Sequence, residues 1–139
     1  MLKTDAVEEP ASDRLVRQRI RNRIIENLEL AASFELQQDY ESRVPFITAF
    51  EVLEGWNDWL RADPRRELPH AVLTIDEVAA LGPVHVCIEE ATIELRQYEF
   101  PTMEQAQGLP KWSALRDQSA VALAVLSQRG RMSEDVEEE

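Results

Sequence analysis

The amino-acid sequence predicts an all-α fold, a small bundle of about five helices organised on one long N-terminal helix. Three observations indicate it: apolar residues at helical spacing over Asp13–Arg43, shorter segments with the same spacing, and a Thr-x-x-Glu capping box at Thr74. A chain of 139 residues, 44% of them apolar, can bury one core. We therefore expect a flexible arm over residues 1–12, a single helical domain over residues 13–131 and a disordered acidic tail over residues 132–139.

The first predicted helix spans Asp13–Arg43. Asp13 is its N-cap candidate, and Pro45 ends it because the residue before a proline disfavours helical backbone. About thirty residues rising roughly 1.5 Å each would span about 45 Å, which exceeds the diameter of so small a domain. One end should therefore project or pack against another chain. The apolar stripe of this helix consists of Ile20, Ile24, Leu28, Ala31 and Phe34.

Shorter helices separated by proline-containing loops are predicted for the middle of the chain. A second helix is expected over about residues 48–62, and a loop follows over residues 63–69. Thr74 and Glu77 form the capping box of a short helix that closes at Gly82. The apolar face of the second helix consists of Phe50, Leu53, Trp56 and Leu60.

The last third of the chain predicts two helices and one isolated turn. A helix is expected over about residues 83–97, although the alternation of β-branched residues leaves a strand over residues 84–88 open. One helical turn is expected around Met103–Gln107, and a final helix over Lys111–Gln128. Because residues 120–126 are apolar on all sides, this last helix should be central or should give one face to a partner.

The charge and the cysteine content restrict the classes of function. A net charge of −12 argues against general binding of nucleic acid or of anionic membranes, because phosphate contacts require a positive surface. No window approaches the length of apolar sequence that a membrane span needs, so no membrane partner is expected. Cys87 is the only cysteine, which excludes an intrachain disulfide, and the start of the chain lacks an apolar leader. These features predict a cytoplasmic location.

Five arginines between Arg14 and Arg23 are the most unusual feature of the sequence. In the first turns of a helix they oppose the helix dipole and repel one another, so an anion should compensate them. Three anions are candidates: the acidic tail over residues 134–139, the acidic body of a second copy, and a nucleic-acid phosphate. The first two need no outside partner. We therefore predict a homodimer through the first helix, with partner-binding residues Arg14, Arg17, Ile20, Arg21 and Ile24.

Few residues suggest catalysis or metal binding. His85 and Glu89 lie one helical turn apart and could share a metal with an acid of the first helix, such as Glu26 or Glu29. Cys87 is expected to be a buried, inert thiol, because it points to a different side of a helix from His85. No nucleophile elbow or phosphate loop is present. The sequence therefore gives no catalytic residue and no cofactor.

The sequence favours a small acidic module that works by binding another protein or a second copy of itself. Two alternatives stay open. One is a helical metal-binding protein or enzyme that uses His85 and Glu89. The other is an acidic inhibitor or immunity-type protein that masks a basic surface on its partner, for which the net charge is suitable.

Overall fold

The part of the chain that the structure describes is built from α-helices. The computed structural model describes residues 12–59 and 72–138, and no strand occurs among them. The predicted all-α fold is therefore confirmed, and the alternative strand at residues 84–88 is wrong. Residues 1–11 of the predicted arm and the predicted loop over residues 63–69 lie outside the described residues. In chain order the helices among the described residues are α1 (Asp13–Ala31), α2 (Phe34–Arg43), α3 (Phe50–Trp59), α4 (Ile75–Leu95), α5 (Met103–Gln107) and α6 (Pro110–Ser127).

The long N-terminal helix of the prediction is two helices, α1 and α2. Ser33 separates them as the N-cap of α2, with its Oγ accepting a hydrogen bond from the N–H of Leu36 at 3.1 Å. The side-chain amide of Gln37 donates to the carbonyls of Leu30 at 3.0 Å and Ala31 at 3.2 Å, which satisfies the end of α1. With 19 residues, α1 spans only about 28 Å and has no projecting end to explain.

α4 continues through the point where the sequence predicts a boundary. Its N-terminus has the predicted capping box, in which the N–H of Glu77 donates to Thr74 Oγ1 at 3.1 Å and the N–H of Thr74 donates to Glu77 Oε1 at 2.9 Å. Pro83 lies inside the helix, which corrects the predicted end at Gly82. A proline has no N–H, so the carbonyl four residues earlier lacks its usual donor. The buried side of α4 includes Leu81, Val84, Ile88, Ala91 and Leu95.

The core lies between α4 and α6, with α1 and α3 closing it from the other side. α4 and α6 are antiparallel, because Lys111 at the start of α6 contacts Glu94 near the end of α4, whereas Arg129 after α6 contacts Glu77. The predicted turn at Met103–Gln107 and the predicted final helix are both confirmed. Cys87 is buried, as expected. The largest core side chains include Trp56, Trp112, Leu53, Leu115 and Leu126.

None of the helices within residues 12–59 and 72–138 combines the length and the apolar character that crossing a bilayer requires.

Candidate functional site

Arg21, one of the predicted partner-binding residues, is completely buried inside the chain. Its guanidinium donates to both carboxylate oxygens of Glu77, at 2.8 and 2.9 Å. It also donates to the backbone carbonyls of Val72 at 2.9 Å, Gly130 at 3.0 Å and Leu126 at 3.1 Å. All five of its N–H donors are therefore used within one chain. Arg21 is not accessible to a partner, which corrects its predicted role.

Arg21, Glu77 and Arg129 form an ionic cluster that joins α1, α4 and the end of α6; Arg21 and Glu77 are buried, whereas the side chain of Arg129 is 44% exposed. Arg129 donates to Glu77 at 3.0 and 3.3 Å and to the carbonyl of Val72 at 2.7 Å. Burial raises the pKa of Glu77, but hydrogen bonds from Arg21, from the N–H of Thr74 and from Arg129 outweigh it and hold the pKa below its usual range. The cluster therefore fixes the packing of the helices.

The other predicted contact residues divide between core and surface. Ile24 is buried in the core, with 1% of its surface exposed, and Ile20 is partly buried against it. Arg14 is partly buried and donates to Gln18 at 3.4 Å. Of the five predicted residues, only Arg17 is exposed. The surface predicted for a homodimer is therefore mostly occupied within the chain.

The anion beside the basic end of α1 is the acidic segment of the same chain. Residues 131–138 lie against α1, and we call them the tail; the sequence predicts disorder for residues 132–139. Arg19 donates to the backbone carbonyl of Glu134 at 2.8 Å, and Arg23 contacts the Glu134 carboxylate. A hydrogen bond from Asn22 and the charge of Arg23 hold the pKa of Glu134 below its usual range. The first of the three candidate anions, the chain's own acidic tail, therefore compensates Arg19 and Arg23.

Two polar residues that the sequence analysis missed, Gln18 and Asn22, bind the tail backbone. Their exposed fractions are 0% and 2%, because the tail covers them. They stand one turn apart on α1, beside the apolar stripe. An amide pair in that position is the only signal in the sequence, and it is indistinguishable from an ordinary solvated pair. Arg21 precedes Ile24 and Leu28 of the apolar stripe by three and seven residues, but the exposed Arg17 precedes Ile20 and Ile24 by the same intervals, so spacing alone does not identify the buried arginine.

The predicted metal site is not assembled among the described residues. His85 Nε2 lies 3.8 Å from Glu89 Oε1. Within residues 12–59 and 72–138 no third histidine, cysteine or acid is close enough to complete a metal site. Glu26 and Glu29, the proposed additional ligands, pair instead with Arg23 and Arg131.

An open groove of about 430 Å³ lies between α1, α2 and α3, and we call it the acidic groove. Gly55 permits this packing, because a Cβ there would lie 2.7 Å from Asn27 Oδ1, and Asn27 donates to the Gly55 carbonyl at 2.8 Å. Arg43 lines the groove but is paired with Asp39. The apolar part of the lining consists of Leu30, Leu36 and Tyr40, and the acidic part consists of Glu26, Glu29, Glu51 and Asp58.

Three carboxylates lie near one another on α3, and two of them, Glu51 and Asp58, line the acidic groove. Glu51, Glu54 and Asp58 are spaced so that they share one face of the helix. Burial raises the pKa of Glu54, and the negative charges of Glu51 and Asp58 raise it further. The negative charges of Glu51 and Asp58 therefore act on Glu54 in addition to burial, and a cation beside them would reduce that repulsion.

Comparison with known protein families, with curated proteins and with solved structures finds no match for this chain.

Proposed function

We propose that this protein is an interaction module that binds a basic segment of another protein in the acidic groove. The observation that supports the proposal most directly is the row of crowded carboxylates on α3 beside an apolar wall. A lysine or arginine of the partner would place its charge against Glu51 and Asp58. Its aliphatic stem would lie along Leu30, Leu36 and Tyr40, in the way that long basic side chains cover apolar surface.

The size and the charge of the molecule favour such a partner. Ligand pockets commonly have volumes of roughly 300–1,000 Å³, so a groove of about 430 Å³ holds a short stretch of side chains. The net charge of −12 attracts a basic protein over a longer range and speeds its association. This proposal carries forward the alternative of an acidic protein that masks a basic partner. The cytoplasmic location remains a prediction.

A partner other than a second copy is favoured because the α1 contacts that motivated a homodimer are made within the chain. Arg21 pairs with Glu77, and Arg19 and Arg23 contact the tail. Binding rather than metal chemistry is favoured because His85 and Glu89 have no third ligand among the residues that the structure describes.

The test is a titration with a short fluorescent peptide of alternating arginine and leucine, followed by anisotropy. Neutralising the groove with Glu51→Gln and Asp58→Asn should weaken binding by about five- to thirtyfold, as expected for the loss of two partly screened charge contacts. The matched control neutralises two exposed acids elsewhere, Glu99→Gln and Glu104→Gln. Equal weakening in both double variants would mean that net charge, and not the groove, attracts the peptide, and would refute the proposed site.

A further inference from the structure

We propose that Gln18, Arg19, Asn22 and Arg23 form a second binding site, for a non-helical acidic segment of a partner protein. The tail of this chain occupies that site in cis, and the partner segment displaces it. This site is separate from the acidic groove in both position and sign of charge, so the inference does not depend on the proposed function.

The two amide side chains bind the tail through its backbone. Asn22 donates to the carbonyl of Met132 at 2.8 Å and accepts from the N–H of the same residue at 2.9 Å. Gln18 donates to the carbonyls of Ser133 and Val136, both at 2.9 Å. Every residue except proline offers these backbone groups, so the same amides can hold a segment of different sequence.

The charged side chains of the site select for acidity. Asn22 donates to Glu134 Oε2 at 2.7 Å, and Arg23 contacts the same carboxylate. Arg19 bonds the Glu134 backbone at 2.8 Å and adds a second positive charge beside it. A segment with glutamate or aspartate at the Glu134 position therefore satisfies the site, and a basic residue there would be repelled.

The shape of the bound tail defines the segment further. The hydroxyl of Ser133 accepts the N–H groups of Asp135 at 3.1 Å and Val136 at 3.0 Å, which bends the chain. The bend returns the backbone to α1, where the N–H of Glu138 donates to Gln18 Oε1 at 2.7 Å. The site therefore fits a segment in which serine, threonine or asparagine stands immediately before the acid.

The tail is held by polar contacts rather than by burial, so it can be exchanged. Val136 is 67% exposed, and among the tail residues only Met132 packs against the core. The tail follows Gly130, whose φ of 75° ends α6 without the steric conflict that other residues would meet. Segments with few apolar contacts and exposed hydrogen bonds open locally while the rest of a protein stays folded.

The experiment uses the full chain with its own tail disabled. Met132→Pro removes the N–H that donates a hydrogen bond to Asn22 Oδ1. Glu134→Arg places a positive charge beside Arg19 and Arg23. The probe is a fluorescein-labelled, N-acetylated peptide with the sequence of residues 131–139. We expect it to bind the doubly substituted chain at least about tenfold more tightly than the unaltered chain, and to bind less tightly at high salt. Circular dichroism confirms that each variant is folded.

Two further variants make the result decisive. Adding Asn22→Leu to the disabled chain should abolish peptide binding, because the backbone of Met132 loses its partner. Glu134→Arg alone replaces the double variant if Met132→Pro prevents folding. The proposal is overturned if the folded, tail-disabled chain binds the peptide no better than the unaltered chain does. It is also overturned if light scattering finds a salt-sensitive dimer of the unaltered chain that Glu134→Arg abolishes, because the tail of a second copy would then fill the site.

Discussion

Arg21→Met removes the buried one of the two arginines that pair with Glu77, and we expect it to lower the free energy of unfolding by about 3–5 kcal/mol. Methionine has a similar length and is apolar, so the substitution leaves little cavity. Glu77, whose side chain is 3% exposed, would keep only Arg129 and the N–H of Thr74 as donors. The carbonyl of Gly130 would lose the donor that Arg21 provides. Because domains are stable by about 5–15 kcal/mol, this loss is a large fraction of the total.

The loss of stability in Arg21→Met should become smaller as the pH falls. The pKa of Glu77 is lower in the folded protein than in the unfolded chain, so its contribution to stability is complete above the unfolded value of about 4.3. That contribution disappears as the pH falls through the folded pKa. In Arg21→Met the two hydrogen bonds from Arg21 to Glu77 are lost and burial remains, so the folded pKa of Glu77 rises. The difference in stability between the two proteins should therefore be greatest near neutral pH and should narrow below about pH 4.

The measurement is urea unfolding at several pH values from about 7 down to about 3, so that the range includes the predicted narrowing, followed by the fluorescence of the buried tryptophans. Arg17→Met is the matched control, because Arg17 is exposed on the same helix, and it should change the stability by less than about 0.5 kcal/mol. Either of two results would refute the reasoning: a loss below about 1 kcal/mol for Arg21→Met at neutral pH, or a loss that does not narrow as the pH falls.

Three further predictions test other parts of the structure. Gly55→Ala should lower the free energy of unfolding by about 1–2 kcal/mol, because its Cβ would lie 2.7 Å from Asn27 Oδ1. Adding Asn27→Ala should recover part of that loss, and Gly108→Ala, whose Cβ would have no neighbour nearer than 3.6 Å, is the control and should be nearly neutral. Thr74→Ala should cost about 1 kcal/mol in urea unfolding by removing the cap of α4, whereas Thr74→Ser should be close to the unaltered protein. Cys87 should react with a thiol reagent far more slowly than free cysteine, because it is buried and burial raises its pKa; reaction at the rate of free cysteine in the folded protein would contradict the structure.

The helices could be predicted from the sequence, but two of their boundaries could not. The break at Ser33 lacks the glutamate or glutamine at the third helical position that completes a capping box, since Leu36 stands there. The side chain of Gln37, on α2, donates a hydrogen bond to the carbonyl of Leu30 at the end of α1, and no local sequence pattern predicts that bond. At Pro83 the sequence predicts a boundary that the structure does not have, because the helix continues through the proline. Its presence inside a helix costs about 3 kcal/mol, which the burial of Leu81 and Ile88 at roughly 1.5–3 kcal/mol each offsets.

The candidate sites were less predictable, because they depend on contacts between distant parts of the chain. The sequence placed an anion near the arginines and included the chain's own tail among the candidates. It could not separate Arg21, which faces the interior, from Arg17, which faces solvent, until the positions of α4 and α6 were known. Gln18 and Asn22 carry no charge or pattern that distinguishes them. The acidic groove arises from the break between α1 and α2, which was not predicted.

Two arginines connect the tail to the acidic groove. Arg131 donates to Glu29 at 2.6 Å, and Arg23 contacts both Glu26 and Glu134. Glu26 and Glu29 line the acidic groove. Occupancy of the two sites is therefore thermodynamically coupled: a cationic ligand that takes Glu29 from Arg131 weakens the tail contact, and detachment of the tail returns negative charge to the groove. The coupling is equal in both directions, and for exposed pairs of this kind it amounts to about 1 kcal/mol, or roughly fivefold in affinity.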